Sequence, residues 1–398
     1  MTHIIPTDKF TTNILCVLIR RPLCRDEATL TALLPPLLAR GSARYPTVRD
    51  IRLATEAMQG AVFDAQIIKK GEQQILQFFI EHSPDVSEEA YEFLQEIIYS
   101  PRLEKTEREE ESFFAPYVAG EGENLRNRIE ARVNNKSEYA KLICFENMCH
   151  GEPFGLYGDG YAEDIPAITP EGLLGHYNNI LSDSPIDIIA LGNWPESLLK
   201  SKDPAQHGLL TPQPALRPAR KERQIVSLNY GTTQGNLCIG LRGEIPPLGM
   251  GFIHFQLANE ILGGGPSAKL FANVREKESL CYSIFSAIYR FKSLQCIIAG
   301  CEPDKLEYVY ELSEREVEAV KQGEFSDGDL HSAKQSLSKR WRAMQDNPSA
   351  CVDFYASQYL LGDCHTVDEL LAHVESASRD GICEAAKQLE IDTVVMMK

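Results

Sequence analysis

The stretch NEILGGGPSAKLFANVREKESLCYSIFS, Asn259 to Ser286, sets the reading of the whole chain. An apolar helical pattern leads into Gly263-Gly264-Gly265-Pro266, which breaks it. A second helix is expected from Ser267 to about Lys277, and a strand from Cys281 to Arg290. Working outward, Leu237-Cys238-Ile239-Gly240-Leu241-Arg242 precedes this stretch as a strand, and a further strand, Gln295–Ala299, follows it. Glu302-Pro303-Asp304 ends that strand before a helix that begins near Lys305.

The same order occurs earlier in the chain. Asn13–Arg20 reads as a strand, Asp26–Arg40 and Thr47–Gln59 as helices, Ala61–Ile68 and Gln74–Ile80 as strands, and Ser87–Tyr99 as a helix after Pro84-Asp85. An ordered series of this kind indicates an internal duplication of a unit of about two hundred residues. The expected fold class is α+β, two related α/β sandwich domains. The expected boundaries are 1–199, a proline-rich linker 200–223, and 224–398.

Composition narrows the function. A net charge of −17 disfavours nucleic acid, whose binders carry a basic surface. No apolar run approaches the roughly 20 residues of a membrane span. The 11 cysteines form no CxxC pair. Several sit in apolar runs, as Cys16 does in Ile14–Ile19, and behave there as small buried hydrophobes. An odd count without framework spacing, and an N-terminus without signal-peptide character, fit a reducing cytoplasm. His150-Gly-Glu152 superficially matches the HxE of zinc deaminases but lacks the following CxxC. The triple glycine is no phosphate loop, since no Gly-Lys-Ser/Thr follows at the needed spacing. By itself it reads as a helix stop.

The Asn259–Ser286 stretch resembles the second-half signature of the pitrilysin/insulinase family of zinc peptidases. Arg275 and Tyr282 stand at the positions of that signature's arginine and tyrosine, six residues apart. The resemblance implies related domains closing around a peptide, with zinc in one half and the arginine–tyrosine pair in the facing half. Gly263, Gly264 and Gly265, with Arg275 and Tyr282, are then the expected substrate-binding residues. Taken alone, Arg275 also reads as a helix C-terminal cation and Tyr282 as a core strand residue.

The first half departs from the family. Its inverted zinc motif, HxxEH, precedes a turn matched here by Arg40-Gly41-Ser42, so it falls on Ala32-Leu33-Leu34-Pro35-Pro36. No side chain there can ligate zinc or act as its base. Glu130 is the candidate for the family's third ligand, without a zinc role of its own. The chain is therefore expected to bind no metal and to have no independent peptidase activity. It would serve as the non-catalytic subunit of a heterodimer with an HxxEH-bearing partner that holds zinc, acting on peptides, as resembling bacterial pairs do. The alternative is an assembly or interaction protein of the same fold with no part in proteolysis.

Overall fold

In the computed structural model, which describes residues 1–195, 198–199, 215–231 and 233–398, the two halves form two sheets of the same design. In the first, β1 (Thr2–Ile5) and β2 (Asn13–Pro22) precede helices α1 (Ala28–Leu38) and α2 (Val48–Ala57). The hairpin β3 (Val62–Lys70) and β4 (Gln73–His82) and helix α3 (Ser87–Tyr99) follow. A small ribbon, β5 (Leu103–Lys105) with β6 (Glu111–Phe113), leads to α4 (Ala115–Glu130). Helix α5 (Lys136–Met148) precedes α6 (Pro170–Asp183), and β7 (Ile186–Leu191) completes the sheet. Its order is β1-β7-β2-β4-β3. All ladders are antiparallel except β1 with β7.

The second half supplies β8 (Gln224–Leu228), β9 (Gly235–Arg242), α7 (Gly249–Gly263), a π-helix (Leu270–Lys277), β10 (Cys281–Tyr289) and β11 (Leu294–Cys301). Helices α8 (Leu306–Lys321), α9 (Asp327–Met344), α10 (Pro348–Leu360), α11 (Val367–Ser376) and α12 (Arg379–Lys387) come next, and β12 (Glu390–Met397) closes the chain. The sheet order β8-β12-β9-β11-β10 matches the first strand for strand, and its one parallel pair, β8 with β12, falls at the corresponding place. The internal duplication is thus present at the level of topology, in an α+β fold with two related domains.

The compact units are not the two continuous halves of the chain. One comprises residues 1–131, 156–212 and 347–356; the other comprises 132–155, 213–346 and 357–398. Each half lends a helical segment to the opposite unit. In the second unit, Ala140, Cys144, Phe145 and Met148 of α5 form an apolar core with Cys238, Cys296, Ile298, Val395 and Met397 of the sheet. The approach is so close that a Cβ at Gly240 would stand 2.7 Å from the Cys144 sulfur. Because α7, α8 and α12 cover the other face, β9 is buried along its whole length, as expected of a strand packed on both sides. In the first unit, Leu15, Val17, Ile19, Leu76, Phe78 and Ile80 pack with Leu33, Leu37, Leu94 and Ile97.

Residues 200–214 of the expected linker lie outside the described residues. Residues 215–223 form no helix or strand and are tied to the second unit. The Ala215 carbonyl accepts from Lys292 Nζ, the Arg217 carbonyl from Arg242 Nε at 2.9 Å, and the Arg220 amide donates to Asp392 at 2.8 Å.

Candidate functional site

In the first unit, Ala32-Leu33-Leu34-Pro35-Pro36 lies within α1, and all but Pro36 are buried. Two adjacent prolines remove two helical hydrogen bonds, but the apolar face of α1 is locked into the core. The turn after it is tight. A Cβ at Gly41 would meet the Pro46 carbonyl oxygen at 2.5 Å, and the buried Ser42 hydroxyl accepts from the Tyr45 amide at 3.0 Å. Glu130 is exposed at the end of α4. The buried carboxylate of that helix is Glu121, which accepts from Arg40 Nη1 at 3.0 Å. These residues do not fit a zinc ion: the motif positions carry no donor, and the one buried carboxylate nearby is neutralised by a guanidinium. Among the described residues no group of three or more His, Cys, Asp or Glu side chains could hold a metal.

In the second unit the Asn259–Ser286 stretch folds into one surface feature. Helix α7 ends against β10, where Asn259 Oδ1 accepts from the Ser286 hydroxyl at 2.8 Å and from Gln295 Nε2 at 2.9 Å. Its neighbour Glu260 is buried and accepts from Ser336 Oγ at 3.0 Å and Arg340 Nη2 at 2.6 Å. This packing accounts for two of the three glycines. A Cβ on Gly263 would stand 2.7 Å from Ser286 Oγ and 2.8 Å from its amide nitrogen, and one on Gly264 would stand 2.7 Å from the Glu260 Cα. Gly265 faces open space, and none of the three takes a left-handed φ.

The helix expected from Ser267 to Lys277 is a π-helix over Leu270–Lys277. Continuous π-helix is rare, and its short wide turns occur often at functional sites. Lys269 Nζ meets Glu316 at 3.2 Å and Asn273 Nδ2 donates to Glu316 Oε1 at 2.8 Å, so both anchor the π-helix to α8. Arg275 points away from those anchors. It is exposed, with its guanidinium 4.6 Å over the Phe271 ring, and among the described residues it has no ion pair. The chain then turns through Ser279 at φ 53°, and the Leu280 amide returns to the Val274 carbonyl at 3.3 Å. β10 therefore begins beside the π-helix.

The start of β10 is irregular, and the irregularity falls on Tyr282. Cys281 pairs with Cys301 and Ser283 pairs with Gly300, so Tyr282 is the extra residue of a β-bulge. A bulge interrupts the alternation of side chains and re-aims one of them. Cys281 and Ile284 point inward, while Tyr282 and Ser283 are both exposed. Tyr282 is 60% exposed, far from the core position that a strand tyrosine would suggest. Because β10 is an edge strand, one side of its backbone is left without a neighbouring strand. The result is an exposed guanidinium, an exposed phenol and a strand edge on one surface, with hydrogen-bond donors for carbonyl oxygens of an extended chain.

Sequence reasoning missed a third polar feature. Glu152, beyond α5, is buried against Arg242 Nη2 at 2.7 Å and Lys292 Nζ at 2.8 Å, and Lys292 is itself fully buried. Burial pushes the Glu152 carboxyl up, but the hydrogen bonds from Arg242 and Lys292 outweigh it and hold the pKa below its usual range. His150 is exposed, so the HxE match has no structural counterpart. The signal that could have found this cluster is the charge of Arg242 and Lys292 at the ends of apolar strands.

A family model described as the peptidase M16 inactive domain matches residues 167–337. A Bacillus subtilis protein named probable inactive metalloprotease YmfF is 27% identical over 411 residues, spanning 100% of this chain and 95% of that protein. A conserved protein from Enterococcus faecalis has a similar structure, with a TM-score of 0.90 and 25% identity over 100% of this chain and 96% of its own. A Pseudomonas fluorescens structure described as a peptidase M16 inactive domain matches in fold, with a TM-score of 0.82 and 18% identity over 99% and 94%. Residues 167–337 thus resemble the M16 inactive domain, and along its whole length the chain is similar to a pitrilysin-type (M16) protein named as an inactive metalloprotease.

Proposed function

We propose that this chain is the substrate-binding subunit of a heterodimeric zinc peptidase acting on peptides. An HxxEH-bearing relative supplies the metal, and Arg275 and Tyr282 supply contacts in trans. The observation that supports this reading is the bulge at Tyr282, which leaves a phenol exposed at the start of β10, in the same stretch as the exposed Arg275 guanidinium, which has no ion pair among the described residues. A peptide carbonyl offers acceptors for both groups, and neither has to change protonation state. Gly265, the one glycine of the loop with free space around it, is the position at which a peptide could approach the backbone. The expected location is the cytoplasm; no described helix is long and apolar enough to cross a membrane.

The test is co-expression with an HxxEH-bearing relative and measurement of peptide hydrolysis by the assembled pair. Arg275→Ala and Tyr282→Phe are expected to lower kcat/KM while leaving assembly intact. Losing a donor aimed at developing charge typically costs about 10²–10³ in kcat, whereas losing a ground-state contact raises KM. Arg275→Lys is expected to rescue only in part, because an ammonium lacks the planar fork. Wild-type turnover from a fully assembled double variant would overturn the substrate-binding role. If no complex forms with such a relative, the assembly reading of this fold takes its place.

A further inference from the structure

We propose that Cys281 and Cys301 are an oxidation site, a thiol pair that a hydroperoxide converts to a disulfide across β10 and β11. The two residues are directly opposed in the antiparallel ladder. Directly opposed residues have Cα atoms roughly 4.5–5.5 Å apart, inside the roughly 4.4–6.8 Å that a disulfide spans without backbone movement.

Cys238 and Cys296, on neighbouring strands of the same sheet, lack that geometry. The opposite partner of Cys238 is Ile298 and that of Cys296 is Gly240. The pair is diagonal, with a Cα separation of roughly 7–8 Å, beyond comfortable disulfide reach. The ladder therefore selects one pair from a cysteine-rich sheet.

The chemistry balances without any group beyond the oxidant. Cys281 retains some solvent exposure, whereas Cys301 is fully buried, so the hydroperoxide meets Cys281 first. Its sulfur attacks the peroxide, the O–O bond breaks, and a sulfenic acid and an alcohol result, with water in place of the alcohol for hydrogen peroxide. The Cys301 sulfur then attacks that sulfur, one S–S bond forms, and water leaves. Two thiols have lost two electrons and the peroxide has gained them. Cys301, opposite Cys281 in the ladder and buried, is placed to be the resolving sulfur.

Tyr282 gives the bond a consequence. It is the bulged residue immediately after Cys281, so a disulfide fixes the lip of the bulge that turns it outward. The site itself does not depend on the peptide-binding reading, and its test reads covalent structure rather than hydrolysis.

The reduced full-length protein is treated with hydrogen peroxide, alkylated under denaturing conditions and mapped by mass spectrometry. The expected result is a Cys281–Cys301 cross-linked peptide, loss of alkylation at both cysteines, recovery of both on reduction, and slower hydrogen exchange at 281–283 in the oxidised form. Cys281→Ser is expected to abolish the cross-link, and Cys238→Ala to leave it. Full alkylation of Cys281 and Cys301 in the oxidised wild type would overturn the proposal, as would a cross-link joining either to another cysteine. The wild-type map decides the matter even where a variant fails to fold.

Discussion

Replacing Glu152 by Gln is the most informative single change to the second unit. Glu152 pairs with both Lys292 and Arg242. Glu152→Gln keeps the side-chain shape but leaves two buried cations facing a neutral amide. Breaking a buried ion pair by removing one partner costs about 3–5 kcal/mol. Lys292→Met removes the other kind of partner and leaves Glu152 and Arg242 matched. The hydrogen bond to the Ala215 carbonyl is lost with it, about 1–3 kcal/mol for a buried acceptor left unmade. The order is therefore wild type, then Lys292→Met, then Glu152→Gln. The chain has two tryptophans, Trp194 in the first unit and Trp341 in the second, both buried. In a Trp194→Phe background, urea unfolding followed by fluorescence reports the second unit. With a slope of about 2 kcal/mol/M, a loss of about 4 kcal/mol lowers the midpoint by about 2 M. Because the folded carboxyl lies below its unfolded value of about 4.3, this contribution is fully present above that pH. It is lost as pH falls through the folded pKa. Glu152→Gln as stable as wild type, or more stable than Lys292→Met, would refute the reasoning.

Two further outcomes follow from the packing. Gly264→Ala is expected to lower thermal stability by about 1–3 kcal/mol, since the new methyl meets the Glu260 backbone, while Gly265→Ala stays within about 0.5 kcal/mol; equal effects would contradict the close-approach account. In the first unit, burial lowers the pKa of His82 and of His176, whose Nε2 lies 2.8 Å from Thr31 Oγ1. The unfolded chain therefore takes up protons first, and stability is expected to fall as pH drops through about 6.5 toward the folded values. Urea midpoints at neutral and mildly acidic pH check this, and a midpoint that holds or rises on acidification in wild type excludes it.

Local signals in the sequence carried most of the fold. The apolar run in Asn13–Arg20, the glycine stop after Leu262 and the Pro-Asp pairs at 84–85 and 303–304 fix element type by chain-neighbour chemistry, and the repeat of their order disclosed the duplication. The exchange of segments 132–155 and 347–356 was not legible. Nothing within the apolar face of α5 says which sheet it covers; that depends on Gly240, a hundred residues away, leaving room for Cys144 and Met148. Arg275 and Tyr282 stood out by their resemblance to a family signature, but their exposure could not be read. A strict strand period puts Cys281 and Ser283 on one face and Tyr282 on the other, and the bulge that breaks this pattern is a property of the pairing with β11.

The two halves have diverged in opposite directions, and that asymmetry bears on function. In the first, the positions that would hold metal ligands have become core. Ala32, Leu33 and Leu34 are fully buried, and Arg40 occupies the buried carboxylate of α4. Each replacement contributes packing or neutralises charge, as expected where only the fold is retained. In the second, the corresponding economy is missing. Tyr282 is mostly exposed and the exposed Arg275 stacks on Phe271, so neither adds much to stability. An exposed phenol at a bulge and an exposed guanidinium on a π-helix, without an ion pair among the described residues, are local departures from regular structure. Such departures concentrate where a surface meets something else. On the proposed reading, that surface is where the carbonyl-rich backbone of an extended peptide would be met by the two donors.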